Sequence, residues 1–433
     1  MTEITTPPRV VGLVGATLMS VNAMIGAGIF ALPALLYAQT GNFAPWMILI
    51  FGLFQACTVL VAARLATMFD LSGGPQLYVQ TAFGPRAGLL MGLLMIMGMS
   101  AGRAAVLYVL VSYLAVFFPA LDAPMARQIA VLALLVGFGG FTLTGMRNAI
   151  GGLAVGTLLK LTPIFVLCIA AFASGGLATH FDLPSFGKIQ SVALLTYFAF
   201  NGTASVANAA GEIKDPRRTL PLSMLLSLAA TILFYMLVQW AYIAAGAPSS
   251  SGDATPLAAA AGAVMGEAGV VALTLAAIFS ITTNSIAYFV AGPRVVFAMA
   301  ERGLLPSTLA HVSQRFMTPD RSILFFTLLV AGVSFSGAFA FLATVVSLAG
   351  QVIALGGFAS FVRLQLKGRE AGGDGVKPAW AFIVFLGVCF AVYIGAQAPL
   401  RAFVLLGGMI LAGALLSSFT GRAVTAHPDP TRD

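Results

Sequence analysis

Two basic residues sit where a charge has no obvious company. Lys160 lies in Leu158-Leu159-Lys160-Leu161-Thr162-Pro163, and Arg103 in Met99-Ser100-Ala101-Gly102-Arg103-Ala104-Ala105, each inside a long apolar run. A buried charge is costly unless paired or hydrogen-bonded, so such residues mark ligand, ion or proton positions. For Lys160 the plain alternative is snorkelling, but it stands about two turns from the nearest helix end. Two other stretches could do chemistry with backbone atoms alone. The first is Val21-Asn22-Ala23-Met24-Ile25-Gly26-Ala27-Gly28-Ile29-Phe30 with Pro33 behind it, and the second is Phe198-Ala199-Phe200-Asn201-Gly202-Thr203-Ala204-Ser205. Glycine weakens a helix by up to about 1 kcal/mol relative to Ala, and closely spaced small residues let the backbone unwind. Each stretch taken alone also suits close helix packing in a membrane.

These residues must be positioned by membrane helices. Of 433 residues, 59% are hydrophobic and only 8% charged. That is far below the roughly quarter share of charge a soluble shell needs, so the outside faces lipid. The 47 glycines fall inside apolar runs and not in flexible tracts. A net charge of +8 does not point to nucleic acid, because the basic residues are scattered through short loops. Cys57, Cys168 and Cys389 each stand alone in an apolar stretch, and His180, His311 and His427 lie in loops or the tail, so packing cysteines and no metal cluster are expected. No cofactor is implied, and no cleavable leader is expected, since the first apolar segment is too long.

A spanning helix needs roughly 20 apolar residues. Segments near 10–38, 44–67, 86–118, 127–145, 149–174, 189–211, 219–246, 267–299, 322–337, 340–363, 378–396 and 401–419 qualify. None shows the alternation of a membrane β-barrel, so the class is an all-α membrane protein of about twelve transmembrane helices. With residues 1–9 inside, fifteen Lys and Arg fall on the cytoplasmic side, among them Arg86, Arg147, Lys214, Arg302, Arg363 and Lys367, against three (Arg127, Lys188, Arg401) outside. The positive-inside rule then makes both termini cytoplasmic, in a bacterial inner membrane. The glycine-broken stretches open segments one and six. That interval of five helices is what two inverted repeats with facing broken helices produce.

Three motifs, in order, carry a family resemblance. Gly26-Ala27-Gly28-Ile29-Phe30 with Pro33 is the first. Gly211-Glu212-Ile213-Lys214-Asp215-Pro216-Arg217-Arg218 with Pro221 is the second, and Arg294 through Glu301-Arg302-Gly303-Leu304-Leu305-Pro306 the third. Ser72-Gly73-Gly74-Pro75 with Phe83-Gly84 is weaker support. At these residues the chain resembles permeases of the amino acid–polyamine–organocation superfamily. The resemblance implies a five-plus-five inverted repeat (the LeuT-like fold): residues 10–174 and 189–363 form the two repeats, 378–419 two further helices, and 420–433 a cytoplasmic tail. It also implies a secondary transporter working by alternating access on an amino acid or related small amine or carboxylate.

An amino acid brings both a carboxylate and an ammonium into low dielectric. The N-terminal end of an unwound half-helix suits the first, and free carbonyls at C-terminal ends suit the second. With the resemblance, the breaks place carboxylate binding at Gly26, Ala27 and Gly28, next to Ile25. They place ammonium binding at carbonyls near Asn22, Ala23 and Met24, and around Phe198 to Asn201, with Gly202 and Thr203 completing the second break. Phe198 falls where the family often sets an aromatic ring over the substrate, and Tyr288 is a further lining candidate. In family members a helix-five lysine approaches the helix-one break; Lys160 stands there. A lysine in low dielectric can exchange its proton as the carrier cycles, which favours proton coupling or cation-free exchange over a sodium requirement.

Arg103 has two readings. Its fork suits a carboxylate, sulfonate or phosphate on the substrate, and Ala204 stands where many relatives carry a glutamate, so the pocket gains positive charge. Alternatively it is structural, bonded to carbonyls of a broken helix, with a small neutral substrate. Glu212 beside Lys214, Arg217 and Arg218 reads as an ion-pair network or inner gate. A channel would show polar rings around a symmetric pore, and an enzyme a nucleophile with its base or paired carboxylates; neither pattern is present. Uptake, exchange and export are equally compatible with the sequence, and no partner subunit is implied.

Overall fold

In the computed structural model the described residues are 11–69, 74–144, 153–176, 182–202, 206, 213–246, 254–337, 339–370 and 375–418. They form fourteen α-helices: α1 (Leu13–Met24), α2 (Ala27–Thr40), α3 (Ala44–Ala66), α4 (Gly74–Phe83), α5 (Pro85–Ala115), α6 (Pro124–Leu143), α7 (Leu153–Gly175), α8 (Phe186–Phe198), α9 (Pro216–Ala244), α10 (Pro256–Glu301), α11 (Asp320–Ser334), α12 (Phe339–Glu370), α13 (Pro378–Ala396) and α14 (Leu400–Ser418). The one β-bridge among these residues joins Val11 to Ile213. Only helices close all their own backbone hydrogen bonds within lipid, which is why so apolar a chain adopts them almost throughout.

Every apolar segment of the sequence contains one or more of these helices. Their starts follow from proline: α5, α6, α9, α10 and α13 open on it, where the fixed φ fits and the missing N–H had no partner to lose. Seven stretches are long and apolar enough to cross a membrane by themselves, the pair α2–α3 counting as one. The eighth segment differs from its expected span. α10 starts earlier, at Pro256, and bends at Gly266, whose φ of 66° only glycine adopts cheaply. Glu267, beside that bend, is exposed.

α5 is the centre of the bundle. In its most apolar window 83% of residues are buried, against 28% in α6 and α13, which therefore lie at the periphery. α5 packs on α12, α10, α4, α11 and α14, while α3 lies along α9 and α1 along α9. Interior hydroxyls such as Ser100, Thr142 and Thr196 are satisfied by the carbonyl four residues back in their own helices. α4 is tied down at one end of the bundle by two cations: Arg302 donates to Gln76 Oε1 at 2.9 Å, and Arg363 Nε donates to the Ala82 carbonyl at 2.7 Å. Cys57 and Cys168 pack inside as expected, but Cys389 is exposed on the outer face of α13, where lipid replaces a helix neighbour.

Candidate functional site

The first break lies between α1 and α2. α1 ends at Met24, and Ile25 (φ −76°, ψ 75°) and Gly26 (φ −110°, ψ −138°) leave the helical region before Ala27 begins α2. The unwound backbone is held by side chains from three other helices. Asn284 Nδ2 of α10 donates to the Asn22 carbonyl at 3.2 Å, and the Tyr235 hydroxyl of α9 donates to the Met24 carbonyl at 2.8 Å. Lys160 Nζ of α7 donates to the Ile25 carbonyl at 3.2 Å and also to Asn22 Oδ1. Left alone, each of those buried carbonyls would cost several kcal/mol in an apolar medium, so the break is a braced feature of the fold. Gly26 has no side chain, which leaves room for Asn284: a Cβ there would sit 3.3 Å from Asn284 Oδ1.

α2 begins beside this break without any side-chain cap. The N–H groups of its first turn have no intrahelical acceptor, and the positive end of the helix dipole is added to them. Pro33 interrupts the same helix nearly two turns further on, and its own carbonyl accepts from Gln239 Nε2 at 3.1 Å.

The second break abuts the first. α8 ends at Phe198, and tight turns follow, in which Phe200 N–H donates to Tyr197 and Asn201 N–H to Phe198. Gly202 has φ +111°, and a Cβ on it would lie 2.9 Å from the Ala23 carbonyl oxygen. A Cβ on Gly28 would touch Ala199 Cα at 3.5 Å. The two unwound backbones thus meet glycine to carbonyl. Thr203, together with Ala204 and Glu212, lies outside the described residues.

A cavity of about 230 Å³ opens at this junction. Of the positions singled out in the sequence, Ala23, Met24, Gly26, Ala27, Gly28, Arg103, Phe198, Asn201, Gly202 and Tyr288 line it. Asn22, Ile25 and Lys160 stand behind the lining, joined to one another by the lysine. From the breaks the cavity follows α3 from Gln55 to Leu65 and α12 from Val346 to Phe358, ending beside Pro75 and Tyr78 of α4. It therefore leads toward the end of the bundle where Arg302 and Arg363 grip α4. On the other side of the breaks lies a small apolar pocket of about 20 Å³ near Leu32 and Ile48.

Sequence reasoning missed Asn284, Tyr235, Tyr197 and Tyr78. Asn284 had one visible signal: it stands four residues before Tyr288, hence on the same helix face one turn away. It joins the two buried cations, since Arg103 Nη1 donates to its Oδ1 at 2.9 Å while its Nδ2 reaches the Asn22 carbonyl. Arg103, 6% exposed, also lies over the Tyr288 ring at 3.9 Å. Chemically the junction offers uncapped helix N–H groups, a guanidinium, and carbonyls beside the Ala23–Gly202 contact.

The profile of the amino acid permease family matches residues 11–418. The chain belongs to that family, within the amino acid–polyamine–organocation superfamily. Similar curated proteins are named as transporters. Uncharacterized transporter Mb2022c of Mycobacterium bovis and uncharacterized transporter Rv1999c of Mycobacterium tuberculosis are each 31% identical over 343 residues, covering 75% of this chain and 73% of theirs. Uncharacterized transporter Mb2001c of Mycobacterium bovis is 29% identical over 334 residues, 70% of this chain and 69% of its own. This permease is thus an integral membrane protein built of apolar helices, and a transporter.

Proposed function

We propose that this permease is a secondary amino acid transporter that binds the α-amino and α-carboxylate groups of its substrate at the two facing breaks. The observation that carries this reading is the uncapped N-terminus of α2, with Gly26, Ala27 and Gly28 lining the cavity opposite the end of α8. The carboxylate accepts from the N–H groups of Ala27 and Gly28, which a preformed helix end supplies without reorganisation. The ammonium lies against the Ala23 carbonyl and the exposed Asn201 side chain. The carbonyls of Asn22 and Met24 are already engaged by Asn284 and Tyr235, so they back the ammonium site and do not form its first contacts. Phe198, held edge-on by Phe339, covers the substrate from the side.

In this reading there are twelve spans, α1–α2 and α8 being the broken ones, arranged as inverted repeats over residues 10–174 and 189–363. Both termini face the cytoplasm of a bacterial inner membrane, and the cation-rich end of the bundle around α4 is the cytoplasmic one. The cavity leads to that end, which makes this the inward-facing conformation of an alternating-access cycle. Lys160 is the coupling residue. Its ammonium occupies the carbonyl of Ile25 and Asn22 Oδ1, oxygens that a sodium ion would otherwise use, so a proton on this lysine replaces the metal. Losing that proton takes the charge from both contacts and weakens the brace on the break, which couples protonation to its geometry.

The test is uptake into liposomes holding the purified protein, with a panel of radiolabelled amino acids, under an imposed proton gradient or an imposed sodium gradient. An amino acid accumulated with the proton gradient, and not with sodium, is the expected result. Absence of uptake and of binding for every α-amino acid sinks the reading; sodium-driven accumulation sinks the role of Lys160.

A further inference from the structure

Among the described residues Arg103 is the one cation lining the cavity, and its surroundings narrow the substrate. Its guanidinium carries five N–H donors. Among the described residues only Nη1 has a hydrogen-bond partner, the neutral amide of Asn284 at 2.9 Å, and Nε–H is buried with none. One face of its plane is covered by the Tyr288 ring at 3.9 Å, which fixes the fork without neutralising it. Among the described residues no Asp or Glu lines the cavity, and the ion pairs of Arg127 with Asp122 and of His311 with Asp320 are elsewhere.

A structural arginine buried at this depth spends its donors on backbone carbonyls; Arg103 donates to none. An amino acid bound at the breaks is a zwitterion, and its two charges cancel. With such a substrate the wall would keep one uncompensated positive charge in low dielectric, the most expensive arrangement available to it. A substrate with a second carboxylate removes that cost and supplies acceptors for the remaining N–H groups in a bidentate contact.

We propose that Arg103, oriented by Asn284 and Tyr288, is the subsite for a side-chain carboxylate, so that this permease selects acidic amino acids. The proposal rests on the binding mode given under Proposed function, which supplies the α-amino and α-carboxylate contacts. Asn284 and Tyr288 are positioning residues: they hold the fork, and Asn284 also bonds the main-chain carbonyl of Asn22, whose side-chain oxygen accepts from Lys160, so both cations are anchored on the same residue of the first break.

The experiment measures binding to the purified full chain of L-aspartate, L-glutamate, their amides L-asparagine and L-glutamine, and glutarate, which keeps two carboxylates and lacks the amine. The expected result is that one acid binds on the order of 100-fold more tightly than its amide, because the amide leaves the fork without a charged acceptor. In Arg103→Gln the ratio should collapse to within about threefold, while Arg103→Lys keeps part of it, as charge without the fork. Amides binding as tightly as acids to the wild type overturn the subsite and leave the amino acid reading standing. Glutarate binding as tightly as glutamate does the reverse: the carboxylate subsite holds and the α-amino contacts at the breaks fail. The wild-type ratios decide the matter whether or not Arg103→Gln folds.

Discussion

Lys160 and Arg103 are both buried in apolar helices, yet the protein treats them in opposite ways. Lys160, 1% exposed, has protein acceptors in Ile25 and Asn22, whereas Arg103 is left with donors to spare. Replacing Lys160 by Ala strands the Ile25 carbonyl and the Asn22 side chain, a loss of about 1–3 kcal/mol. We expect a lower melting temperature in detergent and, in liposomes, uptake that no longer responds to a proton gradient; unchanged proton-driven accumulation would remove Lys160 from the coupling step. Gly202→Ala tests the contact between the breaks. Its φ of +111° and a Cβ placed 2.9 Å from the Ala23 oxygen combine backbone strain of order 1–3 kcal/mol with a clash against main chain that cannot turn away. Substrate binding should fall at least tenfold while Gly28→Ala, whose Cβ would meet Ala199 Cα at an ordinary 3.5 Å, costs far less; equal effects would mean the backbones do not need this approach. Both cations were legible in the sequence because a charge among leucines and alanines is conspicuous. Asn284 was not, because in Thr282-Thr283-Asn284-Ser285 a neutral amide looks like ordinary small polar packing, and its role exists only through partners 181 and 262 positions away.

At the scale of the elements, helix identity was legible and helix depth was not. Length and apolarity mark seven stretches as long and apolar enough to cross lipid, and glycine with proline marks the interruption at Gly26 to Gly28. Which glycines mark an interruption and which a close crossing cannot be read from their spacing, since both use the same residue. Gly52 is a crossing: a Cβ there would lie 2.4 Å from Ile232 Cγ1 and 3.2 Å from Phe200 Cζ, so α3 meets α9 and the second break at this point. Gly92 on α5 looks similar in sequence, but its Cβ would meet the Sδ and Cε of Met299, the far end of a flexible side chain. Gly52→Ala should therefore destabilise by about 1–3 kcal/mol as overpacking, partly restored by Ile232→Ala, whereas Gly92→Ala stays within about 1 kcal/mol. Thermal unfolding of Gly52→Ala, Ile232→Ala, their combination and Gly92→Ala in one detergent checks this, and a Gly92→Ala loss as large as that of Gly52→Ala would contradict the packing account. The bend at Gly266 was missed for a related reason: α10 runs on past the apolar stretch into Pro256 to Met265, whose small residues hide a helix start.

For the whole molecule, the loop charges of the sequence lead one to expect an inside and an outside, and the structure supplies a cavity that leads one way. Gln55, Thr58, Val61 and Leu65 on α3 carry it from the breaks toward the cation-held α4, while the opposite side closes on a pocket of about 20 Å³. No local pattern announces this asymmetry: in the alternating-access cycle proposed above the same helices form the walls in every conformation, and their relative tilt sets which end is open. Thiol accessibility reads it directly. In a Cys389→Ser background, which removes the exposed native thiol and keeps the buried Cys57 and Cys168, Thr58→Cys should react with a small charged thiol reagent delivered to the cytoplasmic face. Ile48→Cys, 4% exposed in the wild-type structure and beyond the breaks, should not. Added substrate should slow the Thr58→Cys reaction, since both compete for one cavity, and should do so at the concentrations that half-saturate uptake. Reaction of Ile48→Cys from the outer face with Thr58→Cys protected would mean that the resting state in the membrane is the outward-facing one. Protection of neither by substrate would separate the cavity from transport altogether.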